Sequence, residues 1–172
     1  MNATTIRANL AALAATLFLT GCAASTRHLP AITPFDVDQY LGRWYEIARL
    51  PHRFERGLDY VTAEYSREEQ HIAVVNRGVR NGQPKSVRGV ARFKGDADTA
   101  ELRVSFFRPF YGDYRVIWLA PDYSCAIVTS TTKKYFWILA RERTLPPTQL
   151  QQLVAMAQKW GFETEKLEFP RQ

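Results

Sequence analysis

The side chains best suited to covalent or metal chemistry are two cysteines and three histidines. His28, His52 and His71 are scattered along the chain, and none joins a close His/Cys pair of the kind a zinc site needs. No Gly-x-Ser-x-Gly elbow presents an esterase nucleophile. Cys125, in Ser124-Cys125-Ala126-Ile127-Val128, reads as the start of a strand, where a thiol is expected to be buried and inert. Glu46 falls on the apolar face of the first strand, where a salt bridge or a rim position is the expected role. With no base–nucleophile pair, the residues favour binding over catalysis, and they imply no metal and no cofactor. An enzyme acting on a small hydrophobic substrate is the alternative.

Cys22 has a different setting. Residues 1–21 carry one charge, Arg7, then an apolar run from Leu10 to Leu19 that is too short to span a bilayer but suits an export signal. The run ends Leu19-Thr20-Gly21-Cys22. If Cys22 is consumed by modification, Cys125 has no partner, and the fold cannot rest on an internal disulfide. The net charge of +6 is modest, and no Lys/Arg block is long enough to suggest nucleic acid. Attraction to anionic headgroups fits that charge better.

The elements that must position these residues are mostly strands. The domains read as a signal over 1–21, a tether over 22–35 with Pro30 and Pro34, and one globular domain over 36–172. Strands are expected at Arg43–Leu50, Leu58–Ser66, His71–Val79, Ser86–Lys94, Glu101–Phe107, Tyr114–Ala120, Cys125–Ser130 and Tyr135–Arg141. Asn81-Gly82 is a hairpin signal, and Pro109 to Asp113 reads as a turn. The period then changes. Leu150, Leu153, Val154, Ala157 and Trp160 form one helical stripe within Pro146–Trp160, stopped by Gly161. Lys166–Phe169 is expected as a ninth short strand. Eight short strands and one helix predict an all-β fold, an eight-stranded antiparallel up-and-down barrel with the helix packed outside.

Alternation assigns the faces. Leu102, Val104 and Phe106 oppose Glu101, Arg103 and Ser105; Val87, Gly89, Ala91 and Phe93 oppose Ser86, Arg88, Arg92 and Lys94. The apolar face lines the interior, so Val104, Phe106 and Ala91 are candidate ligand-lining residues. Small residues such as Gly89, Ala91, Ala63 and Ala48 favour a cavity over a filled core. Charges on the opposite face, Arg88, Arg92, Glu101 and Arg103, argue against a barrel that faces lipid.

Gly42-Arg43-Trp44-Tyr45 resembles the first lipocalin motif, Gly112-Asp113-Tyr114 the second, and Arg141 after Trp137-Ile138-Leu139-Ala140 the third. The resemblance spans about 36–169. It implies a plug in which the Arg141 guanidinium lies across Trp44, with Gly42, Trp44, Asp113, Tyr114 and Arg141 structural. His52-Arg53-Phe54-Glu55-Arg56-Gly57 and Val104-Ser105-Phe106-Phe107 with Pro109-Phe110-Tyr111-Gly112 resemble the outer-membrane lipocalins of bacteria. That resemblance implies a fatty acid or lysophospholipid ligand, ligand-facing aromatics at Tyr111 and Trp137, and pairing of two copies. Leu19-Thr20-Gly21-Cys22 resembles a lipoprotein box, which implies acylation of Cys22. Ala23 in place of Asp then implies delivery to the outer membrane, with the barrel facing the periplasm and a role in lipid storage, transport or envelope maintenance. Arg53, Arg56 and Arg108 are headgroup candidates by charge. Arg108 and Asp113 depart from the bacterial pattern, so headgroup preference transfers least well.

Overall fold

A computed structural model describes residues 24–172; the export signal and Cys22 lie outside the described residues. The element order is α1 (Val37–Tyr40), β1 (Gly42–Arg49), β2 (Asp59–Glu68), β3 (His71–Arg80), β4 (Gln83–Phe93), β5 (Glu101–Phe107), β6 (Phe110–Leu119), β7 (Cys125–Thr129), β8 (Phe136–Ala140) and α2 (Pro147–Lys159). Each strand pairs antiparallel with the next, and β8 pairs back onto β1, so the sheet is a closed barrel. Closure gives every strand a paired neighbour on both sides. The Asn81-Gly82 turn has positive φ at both residues, 52° and 74°, the geometry that makes a tight hairpin follow the twist of β3 and β4.

The barrel has a packed core on each side of the wall. Outside, Leu153 and Ala157 of α2 are buried against Ile47 and Ala48 of β1, Ile127 of β7 and Ile138 of β8. The helical stripe read from the sequence is thus the face that packs. Inside, Trp44, Tyr65, Ile72, Val74, Ala91, Leu102, Val116, Val128 and Leu139 converge.

One end is plugged as the motif resemblance implies. The Arg141 guanidinium lies 3.9 Å above the Trp44 ring, a cation–π contact. It also donates to three backbone carbonyls, those of Gln39 (2.6 Å), Arg43 (2.9 Å) and Tyr123 (3.3 Å). The Trp44 indole N–H donates to the Tyr40 carbonyl at 2.8 Å. One cation therefore ties together α1, β1, β8 and the β6–β7 turn. The β1–β2, β3–β4, β5–β6 and β7–β8 connections lie at the other, open end.

Three local expectations are corrected. Residues 24–35 are packed along the wall. Buried Arg115 of β6 donates to the carbonyls of Thr26 (3.0 Å) and Leu29 (2.6 Å), and the Ile32 N–H donates to the Val116 carbonyl at 2.9 Å. Leu29 and Phe35 supply the buried apolar surface that a free stretch would lack. β6 begins at Phe110, so most of the expected Pro109–Asp113 turn is strand. Lys166–Phe169 forms only one bridge, Arg49 to Glu168, after a 3-10 turn over Thr164–Lys166. β1 and β2 part after Tyr45↔Thr62, and the C-terminal residues fill the gap. Gln172 Nε2 donates to the carbonyls of Glu46 (2.7 Å) and Val61 (3.0 Å), and the Tyr60 N–H donates to the Arg171 carbonyl at 2.6 Å.

Trp44→Ala is expected to cost about 3–5 kcal/mol, because it empties a fully buried ring site and removes the surface on which Arg141 lies. Denaturant unfolding checks this; an unchanged midpoint would contradict the plug.

Candidate functional site

The lower interior is sealed by tyrosines. The Tyr40 and Tyr114 hydroxyls are 2.7 Å apart, and Tyr65 donates to Tyr114 at 2.9 Å. Burial raises the pKa of all three phenols, so they remain neutral. Tyr40 and Tyr65 each bond to Tyr114, so each of the three hydroxyls has a partner. A void of about 10 Å³ remains in this layer, bounded by Ala91, Val104, Tyr65 and Tyr114 among others. That is room for a water at most. Ala91 and Val104 therefore line the floor.

Above the floor the inner wall is less completely covered. Ala63, Val87, Phe106 and Trp137 point inward by strand register, yet each is only half-buried. In a closed barrel, exposure on the inner face is exposure to an internal space. Phe106 modifies the expectation from small residues. A Cβ at Gly89 would stand 2.6 Å from the Phe106 ring, so the missing side chain of Gly89 is filled by Phe106. Trp137 lies on the wall of β8, stacked at 6.0 Å on Tyr135 and met edge-on by His52 at 5.3 Å.

Tyr111 is corrected. Because β6 starts at Phe110, Tyr111 sits in a strand one step out of phase with inward Gly112 and Tyr114. It faces outward, 40% exposed, with the Arg103 guanidinium 5.2 Å from its ring. Asp113 also faces out. It accepts from Lys94 (2.9 Å) and Thr131 (2.9 Å), and these bonds outweigh burial and hold its carboxyl below the usual range. Arg53, Arg56 and Arg108 are exposed on the connecting loops, outside the interior.

The sequence reading missed the polar lining of the mouth. A bulge at Ile47 shifts the β1–β8 register, so Glu46 and Arg49 fall on the same side and pair at 2.7 Å. Glu55 reaches in from the β1–β2 loop. Its Oε2 accepts from the Trp137 indole N–H at 3.0 Å, and His52 Nε2 lies 2.7 Å away without hydrogen-bond alignment. Burial and the neighbouring Glu55 carboxylate hold the Glu46 carboxyl well above its ordinary range, and Arg49 offsets this only in part. For Glu55, burial is outweighed by His52, Trp137 and Arg49, and its carboxyl is lowered. The environments thus push the two carboxyls apart. Arg80 and Asn76 share the inward side of β3 with Ile72 and Val74, and Arg80 Nε, Asn76 Oδ1 and His52 Nδ1 have no protein partner. Period two along β3 was the available signal for Arg80; no local pattern marked Glu55.

Little here suits nucleophilic chemistry. Burial pushes the Cys125 thiol up to about 12, and it lies at the plugged end. Among the described residues no group of three His, Cys, Asp or Glu could hold a metal ion. A separate groove of about 430 Å³, bordered by Arg43, Tyr45, Arg77, Lys85 and Arg143, lies on the outer wall.

A family model described as "Lipocalin-like domain" matches residues 35–172. The chain belongs to the lipocalin family. It is 44% identical over 168 residues to "Outer membrane lipoprotein Blc" of Citrobacter freundii, covering 95% of each chain. It is 41% identical over 162 residues to the protein of that name from Escherichia coli K12, covering 91% of this chain and 92% of the relative. Among solved structures, insecticyanin from Manduca sexta superposes with a TM-score of 0.69 over 84% of each chain at 20% identity, which shows the shared fold. Trp44 and Arg141 form the plug, and Asp113 and Tyr114 point to opposite sides of β6.

Glu46 carries a raised folded pKa, so the native state holds a proton that the unfolded chain releases near 4.5. Stability from this group is fully present below that pH and is lost as pH rises toward the folded value. Glu46→Gln removes the titration. The melting temperature of the variant is expected to fall less between pH 5 and pH 8 than that of the parent; an equal fall would contradict the assignment.

Proposed function

We propose that this lipocalin holds one single-chain lipid, a fatty acid or lysophospholipid, in the upper half of its barrel. We propose also that acylation of Cys22 fixes it to the outer membrane, with the barrel in the periplasm. The observation that carries the ligand reading is the half-exposed inner wall of Ala63, Val87, Phe106 and Trp137 above a sealed tyrosine floor. Each methylene brought out of water there gains roughly 0.8 kcal/mol, before the ordering and docking costs that reduce the net affinity. The acyl chain runs down toward the floor, since the polar groups are gathered at the mouth. Arg80 supplies a cation for a carboxylate or phosphate. Glu55 and the faces of Trp137 and Tyr135 suit a headgroup that also carries positive charge. Such a ligand would be stored, carried or returned to the envelope.

The membrane reading rests on Leu19-Thr20-Gly21-Cys22 and on the relatives' printed description as outer membrane lipoproteins. More than one acyl chain on Cys22 would make the attachment stable.

Native mass spectrometry of the purified protein is expected to show a bound lipid of fatty acid or lysophospholipid mass. Affinity for saturated fatty acids is expected to rise with chain length and then level off once the space is full. Trp137→Ala is expected to weaken binding of a fluorescent fatty acid about tenfold with little change in melting temperature; unchanged affinity would remove Trp137 from the site. Cys22→Ser is expected to abolish incorporation of labelled palmitate in cells, and retained label would refute acylation at Cys22.

A further inference from the structure

The open rim carries apolar surface that the interior does not use. Phe107 and Phe110 at the β5–β6 tip are 69% and 78% exposed, and Phe54 in the β1–β2 loop is 56% exposed. Cations are interleaved with them: Arg108 between the two tip phenylalanines, and Arg53 and Arg56 beside Phe54. Lys133 and Lys134 occupy the β7–β8 turn. None of these five makes an ion pair among the described residues. Aromatic tips with adjacent cations are the composition of a surface that seats in the headgroup layer of an anionic bilayer.

The start of the described chain points to the same place. The Lys133 N–H donates to the Ala24 carbonyl at 2.9 Å, and Ser25 bridges Thr132. Ala24 is therefore fixed to the β7–β8 turn, at the open end. Cys22 is two residues earlier, and two residues reach at most about 7 Å. An acylated Cys22 would hold the bilayer against this rim and could not hold it against the Trp44–Arg141 plug. In barrel order the β7–β8 turn lies between the β5–β6 tip and the β1–β2 loop. The anchor and both phenylalanine-bearing loops thus occupy one continuous arc of the rim. The β3–β4 turn, Asn81-Gly82, has no aromatic residue and lies outside the arc.

We propose that the barrel docks mouth-down on an anionic bilayer, with Phe54, Phe107 and Phe110 seated among the headgroups and Arg53, Arg56 and Arg108 on their phosphates. A lipid would then pass between bilayer and barrel without crossing bulk water. The orientation rests on acylation of Cys22; the rim's affinity for a bilayer does not.

The test places an environment-sensitive fluorophore at Phe107→Cys or, at the plugged end, at Asp96→Cys. The full acylated chain is reconstituted in vesicles of phosphatidylethanolamine and phosphatidylglycerol containing nitroxide lipids. Quenching at position 107 at least threefold above that at position 96 is expected. Equal quenching, or stronger quenching at 96, overturns the proposal. A parallel arm adds the unacylated Cys22→Ser chain to vesicles, so that loss of the anchor does not remove the test. Here the label at 107 is expected to shift to the blue with phosphatidylglycerol vesicles and much less with phosphatidylcholine alone. No shift with either overturns docking even if palmitate labelling of the parent succeeds. A blue shift that grows with protein concentration in the absence of vesicles would assign the rim to a second copy and also overturn it. Phe107→Ser with Phe110→Ser is expected to weaken vesicle binding of the unacylated chain at least tenfold at an unchanged melting temperature.

Discussion

The pairing of β1 with β8 is the constraint on which the rest of the molecule depends. It converts a strip of eight strands into a tube and gives each strand an inside. Arg141 stacked on Trp44 holds this seam at its lower end. The guanidinium satisfies three carbonyls while its face covers the indole. A lysine would retain the charge but lose the planar fork. Higher on the seam, the bulge at Ile47 gives Ile47 and Ala48 to the outer core and sends Glu46 and Arg49 to the other side. The irregularity thereby separates the helix-packing face of β1 from the polar mouth.

Below and above the middle of the tube, the interior solves different problems. The lower half is packed, and its three phenols bond to one another, so it resembles an ordinary protein core. The upper half keeps apolar wall exposed and sets charged groups around the opening. On the proposed reading, that division would set the direction in which an amphiphile fits. Hydrocarbon would meet apolar wall on the way down, and charge would stay near the loops. The Glu46–Glu55 pair sharpens the division, because burial and the neighbouring carboxylate raise the Glu46 carboxyl against the seam while His52, Trp137 and Arg49 lower that of Glu55. The C-terminal residues, which fill the gap between β1 and β2, complete the wall beside that pair.

Much of this was legible in the sequence because strands announce themselves by alternation and by turn chemistry. Val104 and Ala91 faced inward as read, and the stripe on α2 faced the core. Motif resemblance identified Trp44 and Arg141, whose contact joins residues almost a hundred positions apart and leaves no local trace. The errors have physical causes. Tyr111 depended on where β6 begins, and the structure extends that strand to Phe110, which reverses its face. Two residues of β5, Ser105 and Phe106, oppose Tyr111 alone, an irregularity no period reveals. Gly89 reads as empty space in the sequence, but the Phe106 ring lies across it. Residues 24–35 looked like a tether because the partner that binds them, Arg115, lies more than eighty positions away and leaves no local signal. Glu55 and His52 reach the interior from a loop, where periodicity has nothing to say.

The central claim is that the space above the tyrosine floor holds a hydrocarbon chain. A crystal structure with a fatty acid brominated near its methyl end tests this most directly. An anomalous bromine peak is expected inside the barrel, between Phe106 and the Tyr65–Tyr114 layer, with the carboxylate near Arg80. Bromine on the outer wall, or an interior closed by the protein's own side chains while the lipid binds elsewhere, would contradict it.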